Sequence, residues 1–149
     1  MTVVAGYLAG KAGRSALHLA VEAAKTLNTS LVVVTVVPKP WTTPSPARID
    51  AEYAAWADQL AADSQREAQR CLDQIGQGVE ISFKKVANRT AGEGLLEAAE
   101  ELEARVLVTG SSSNGALGQV VLGSTTDWLL HSAPVPVALS PRGYRGARS

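Results

Sequence analysis

Arg105-Val-Leu-Val-Thr-Gly110-Ser-Ser-Ser-Asn-Gly-Ala-Leu-Gly-Gln-Val-Val-Leu-Gly-Ser124-Thr-Thr-Asp-Trp-Leu-Leu-His131-Ser-Ala-Pro-Val-Pro136 is the stretch on which the reading of this chain turns. Val106 to Thr109 is a short apolar, β-rich run that reads as a buried strand. Thr125 to His131 reads as a helix opened by a capping hydroxyl at Ser124. A strand that feeds a Gly/Ser loop and then a helix start brings free backbone N–H groups and the positive end of a helix dipole to one point. Such a point suits an anion, most often a phosphate. The plain alternative is a long flexible connection, because glycine clusters are weak motifs taken alone.

Spelling excludes two better-known phosphate loops. Gly110 and Gly115 have the outer spacing of a Walker loop, but Ala116 and Leu117 stand where its Lys and hydroxyl belong. No Gly-x-Gly-x-x-Gly follows any strand, so a dinucleotide-binding turn is not supported.

Working outward, the rest of the chain alternates strand and helix. Val3 to Tyr7 is a short apolar strand, followed by a glycine-bearing loop from Leu8 to Gly13. From Arg14, the positions Ala16, Leu17, Ala20, Val21, Ala24 and Leu27 fall on one helical face, with Arg14, His18, Glu22 and Lys25 opposite. Asn28 ends that helix. Leu31 to Val37 is too continuously apolar for a half-exposed strand and reads as a central one. Pro38, Pro40, Pro44 and Pro46 then interrupt regular structure around Trp41.

Ser45-Pro46 opens a helix that runs to Ile75, with Ile49, Tyr53, Trp56, Leu60, Ala68, Cys71, Leu72 and Ile75 as its apolar stripe and Tyr53 and Trp56 read as core. About thirty residues of helix span ~45 Å, more than a small sheet covers, so a break, a bend or a protruding end is expected. Gly76 to Gly78 close it. Val79 to Val86 alternates as an edge strand does, and Thr90-Ala-Gly-Glu93 matches a capping box. Val135 to Leu139 is the last strand. Pro136 inside it cannot donate to a ladder, which places the strand at an edge or a bulge.

The order β-α-β-α-β-α-β-α-β with right-handed crossovers gives an α/β fold, an open five-stranded parallel sheet with helices on both faces. Ligands of such sheets bind beyond the carboxyl ends of the strands, where the winding reverses. If strands one and four are neighbours there (order 3-2-1-4-5), the loops after Tyr7 and after Thr109 face one crevice.

Composition bounds the function. The chain of 149 residues reads as one domain over 1–140 with a disordered basic tail over 141–149. Fourteen basic and fourteen acidic side chains cancel, which argues against nucleic acid and anionic membrane as partners. Cys71 is the single cysteine, so no internal disulfide forms and a reducing, cytoplasmic setting is expected. No apolar run approaches the ~20 residues of a membrane span. His18 and His131 lie far apart without metal-ligand spacing and read as surface or helix-packing residues. Asp127 reads as a first-turn carboxylate favouring the helix dipole rather than a base that activates water.

At this point the chain resembles the universal stress protein family, from Val3 to Leu139. The most specific match is the nucleotide signature Gly-x2-Gly-x9-Gly-Ser/Thr followed by a helix and a Pro-Val strand. Gly110, Gly123 and Ser124 stand in register with it, as do Leu130 to Val137, while Ser113 replaces the second glycine and Gly115 and Gly118 lie nearby. The resemblance implies a Rossmann-like, adenine nucleotide alpha hydrolase-like fold. It also implies a non-catalytic, stress-linked regulator that binds ATP or another adenine nucleotide, and a homodimer formed through Val135 to Leu139.

By the same resemblance, Val36 would face the adenine, with Thr109, Gly110, Ser113, Gly115, Gly123, Ser124 and Thr125 around the sugar and phosphates, largely through main-chain N–H groups. Leu8 falls where ATP-binding members carry an aspartate, a loss of one or two hydrogen bonds of ~1 kcal/mol each. Leu8 and Ser113 favour an alternative, a dimeric protein-interaction module of the same fold without nucleotide. A slow ATP hydrolase is a third reading that lacks a general base or a metal-binding carboxylate in these loops.

Overall fold

Periodicity decides which way each side chain faces, and the computed structural model shows the result for residues 2–7, 13–38, 47–88, 90–110 and 124–140, the described residues. The elements are β1 (Thr2–Gly6), α1 (Gly13–Leu27), β2 (Ser30–Pro38), α2 (Ala47–Ile75), β3 (Ile81–Asn88), α3 (Ala91–Glu101), β4 (Ala104–Gly110), α4 (Ser124–Ser132) and β5 (Val137–Ser140). The five strands are parallel in the order β3-β2-β1-β4-β5.

Because successive strand side chains point to opposite faces, each central strand feeds two cores. Val3, Ala5, Leu31, Val33 and Val108 join the inner faces of α1 and α2, including Leu17, Ala20, Ala68 and Leu72. Val4, Val32, Val34 and Leu107 join α3 and α4 through Leu95, Ala98, Ala99 and Leu129. Covering on both faces explains why β2 reads as an unbroken apolar run rather than an alternating one.

Helix ends follow local chemistry. Asn28 takes φ 54°, its N–H donates to the Lys25 carbonyl at 3.2 Å, and the Thr29 N–H donates to the Ala24 carbonyl at 3.0 Å. These paired bonds satisfy carbonyls that the last turn of α1 leaves open. At α3, Thr90 is extended and its Oγ1 accepts from the Glu93 N–H at 3.1 Å, while the Thr90 N–H points to Asn88 Oδ1 at 3.4 Å.

Three expectations need correction. Trp56 is 50% exposed and not core. The helix carrying it is unbroken over 29 residues, about 44 Å at 1.5 Å per residue. Among its described side chains the buried ones, Ser64, Ala68 and Leu72, lie in the second half. The third strand begins at Ile81 rather than Val79, because Gly78 at φ 85° and a Val79 N–H to Gly76 carbonyl bond of 3.2 Å put Val79 in the turn. The last strand begins after Pro136, which has no N–H to give a ladder; its carbonyl accepts from the Leu107 N–H at 2.9 Å and starts the pairing. β3 and β5 are the two edges of the sheet, as their patterning predicts. The loops at 8–12 and 111–123, Trp41, the Tyr53 side chain and the tail from 141 lie outside the described residues.

Candidate functional site

The winding reverses between β1 and β4. The chain leaves β1 through α1 on one face toward β2, and returns from β3 through α3 on the other face to β4, which pairs with β1 through Ala5 and Val108. The carboxyl ends of β1 and β4 therefore lie at the switch point, the place beside which open α/β sheets hold their ligands.

On the β4 side, Thr109 and Gly110 end the strand beside Leu139 and Ser140 of β5, and the Ser140 hydroxyl donates to the Thr109 carbonyl at 3.5 Å. Thr109 is 5% exposed, and its Oγ1 has no hydrogen-bond partner among the described residues. A buried hydroxyl without a partner costs free energy, so this atom suits a ligand that brings one.

The helix α4 runs against the strands. Only residues 133–136 separate its end at Ser132 from Val137, which pairs with Leu107 at the near end of β5, so its beginning at Ser124 lies toward the carboxyl edge. The first-turn N–H groups at Ser124 and Thr125, which have no partner within the helix, therefore lie toward that edge. Asp127, in the same turn, is exposed and turned along the helix toward His131 at 3.7 Å. The His131 ring nitrogen Nδ1 lies 2.8 Å from the Asp127 carbonyl oxygen, which makes it a surface histidine as its sequence context predicts.

On the β1 side, Tyr7 follows the strand, and its N–H donates to the Val34 carbonyl at 2.9 Å. Its ring is buried and its hydroxyl donates to Glu67 Oε1 of α2 at 2.7 Å. Burial, then this bond, push the phenol well above its ordinary range, while the Arg14 guanidinium pulls the other way. Arg14 stands in the first turn of α1 with no acidic neighbour in that turn, a cation at the positive end of a helix. The start of α4, by contrast, carries the acidic Asp127 in its first turn. Arg14 is exposed, as its placement on the outer face of α1 predicts.

Val36 lies near the carboxyl end of β2, half-buried, with its methyl groups against α3 at Gly94. A Cβ on Gly94 would sit 2.7 and 2.9 Å from those methyls, so the glycine lets α3 close onto the end of β2. Of the residues that the sequence nominates, Val36, Thr109, Gly110, Ser124 and Thr125 share this edge of the sheet, whereas Ser113, Gly115, Gly123 and Leu8 lie outside the described residues. Among the described residues no three His, Cys, Asp or Glu side chains gather as a metal site would need, and no helix is long and apolar enough to cross a membrane.

Known proteins share the fold. The fold matches that of a universal stress protein crystallised in complex with cAMP, with a TM-score of 0.67 and 17% identity over 96% of this chain and 98% of that one. It also matches the Archaeoglobus fulgidus universal stress protein in complex with dAMP, with a TM-score of 0.60 and 17% identity over 94% and 97%. In sequence, the chain is 57% identical over 145 residues to a universal stress protein of Mycobacterium tuberculosis strain H37Rv, covering 97% of this chain and 50% of that protein. The chain thus spans about half the length of the curated relatives it matches first. The family model for the universal stress proteins matches residues 1–141. With the sheet order and near-complete sequence coverage in agreement, the chain belongs to the universal stress protein family.

Proposed function

We propose that this chain is a non-catalytic, cytoplasmic regulatory protein that binds an adenine nucleotide at the carboxyl edge of β1, β2 and β4. The observation that supports the reading is the reversal of the sheet winding between β1 and β4, with β4 ending at Gly110 and the next described element, α4, opening at Ser124. Main-chain N–H groups of Ser124 and Thr125 would take the phosphates, and Val36 would lie beside the base. The cAMP and dAMP complexes of the fold neighbours favour adenine as the base. A homodimer through β5 completes the proposal: the strand is a sheet edge, and Val137, Ala138 and Leu139 are half-buried on it.

Calorimetric titration of the purified chain with ATP, ADP, AMP and cAMP tests the nucleotide reading. Saturable heat with at least one of them is expected, without phosphate release above a protein-free control. Silence at millimolar ligand refutes it and leaves the dimeric interaction module as the reading. Sedimentation at micromolar chain tests the dimer, which a charge placed in the edge strand, Ala138→Lys, should dissociate.

A further inference from the structure

A buried hydroxyl that the fold leaves unsatisfied is the least expected atom at the end of β4. Thr109 shares its face of the sheet with Leu107, two residues earlier, and Leu107 packs in the same cluster as Leu129 of α4. Two strand residues rise about 6.6 Å, and four helical residues rise about 6 Å. Thr109 lies beyond Leu107 toward the carboxyl edge, and the first turn of α4, whose N–H groups have no helical partner, lies four residues before Leu129 on the same face of the sheet. The hydroxyl, 95% buried on the complement of its 5% exposure and unpartnered among the described residues, thus faces the layer that holds those N–H groups.

From this juxtaposition we infer that Thr109 Oγ1 donates a hydrogen bond to the anionic phosphate of the bound nucleotide, alongside the first-turn N–H groups of α4. The inference rests on the nucleotide reading above and adds a side-chain contact to a site otherwise made of backbone. It also means that the ligand-free fold carries an unsatisfied polar atom, so stability and binding respond to this hydroxyl in opposite directions.

The test compares the full chain with Thr109→Val, which keeps the shape and removes the hydroxyl, and with Thr109→Ser, which keeps the hydroxyl. Each is titrated with ATP, AMP and adenosine, and each is melted without ligand. Thr109→Val should weaken ATP and AMP about fivefold to tenfold, leave adenosine unchanged, and melt without ligand at or above the parent temperature; Thr109→Ser should bind like the parent. Equal ATP affinity in the parent and Thr109→Val overturns the inference while the nucleotide reading stands. So does an equal loss with adenosine, or a lower ligand-free melting point, which would reveal an internal partner. A parent chain silent to all three ligands overturns the inference and the nucleotide reading together.

Discussion

Replacing Gly94 by alanine should destabilise the protein, although the same change in an open helix stabilises it. In a helix interior alanine gains about 1 kcal/mol over glycine. Here the new Cβ would lie 2.7 Å from Val36 Cγ1, 2.9 Å from Val36 Cγ2 and 3.2 Å from Asn88 Cβ. Carbon atoms settle at about 3.5 to 4.0 Å, so close to 1 Å must be recovered. Val36 cannot supply it by bending a long side chain, because its methyls branch at Cβ and its backbone is held in the β2–β3 ladder opposite Val86. Overpacking of this kind costs about 1–3 kcal/mol, which leaves a net loss of up to about 2 kcal/mol.

In a domain of this size, each kcal/mol moves the melting temperature by about 2–4 °C. The assay is thermal or urea unfolding of Gly94→Ala, Val36→Ala and the double variant. Removing the two Val36 methyls should return the ordinary helix-propensity gain, giving a coupling of about 1–3 kcal/mol between the sites. Because Val36 lies at the candidate nucleotide edge, Gly94→Ala should also weaken ATP. If Gly94→Ala is about 1 kcal/mol more stable than the parent and additive with Val36→Ala, the close-packing argument is wrong.

Other perturbations probe other joints. Tyr7→Phe removes the bond to Glu67 and should cost about 1–2 kcal/mol in urea unfolding at neutral pH. The folded phenol keeps its proton to higher pH than the unfolded one, so its contribution is full below pH ~10 and is lost as pH rises above that, by up to about 1.4 kcal/mol per pH unit. A stability profile measured from pH 8 to 11 should fall more steeply in the parent than in Tyr7→Phe. Asn28→Ala, at φ 54°, should lose about 1 kcal/mol, whereas Asn28→Gly should lose nothing. Gly92→Ala would set a Cβ 2.8 Å from Trp128 Cε3, so it should push the indole outward and red-shift Trp128 emission in a Trp41→Phe/Trp56→Phe background.

Much of the fold could be read from residues because its determinants are local or periodic. The unbroken Leu31 to Val37 run required a doubly covered strand, Thr90 and Glu93 marked the start of α3, and Asn28 marked the end of α1. The misreadings came from contacts that sequence spacing does not encode. Trp56 keeps the helical phase of its stripe, but whether a sheet lies beneath it depends on where the third dimension ends. The glycines at 92 and 94 were the missed signal: two poor helix formers inside one helix imply that something packs against it closely, here Trp128 and Val36.

At the candidate site, strand order alone brings Val36, Thr109 and Gly110 to one edge, so those positions were legible. Tyr7 and Glu67 meet across sixty residues of chain, and no local pattern announces that bond. The lack of a partner for Thr109 Oγ1 among the described residues is likewise a property of its surroundings rather than of threonine.

The middle of the sheet joins Thr2 to Ala104, so β1, once synthesised, waits for α1, β2, α2, β3 and α3 to follow before its second neighbour arrives. Until then β1 has β2 on one side and a bare row of amides on the other. Nascent chains arrested before β4 should consequently be caught by chaperones or stick to one another, whereas those arrested after it should close. Such a connection is slow to make, because distant ends must meet before any contact rewards them.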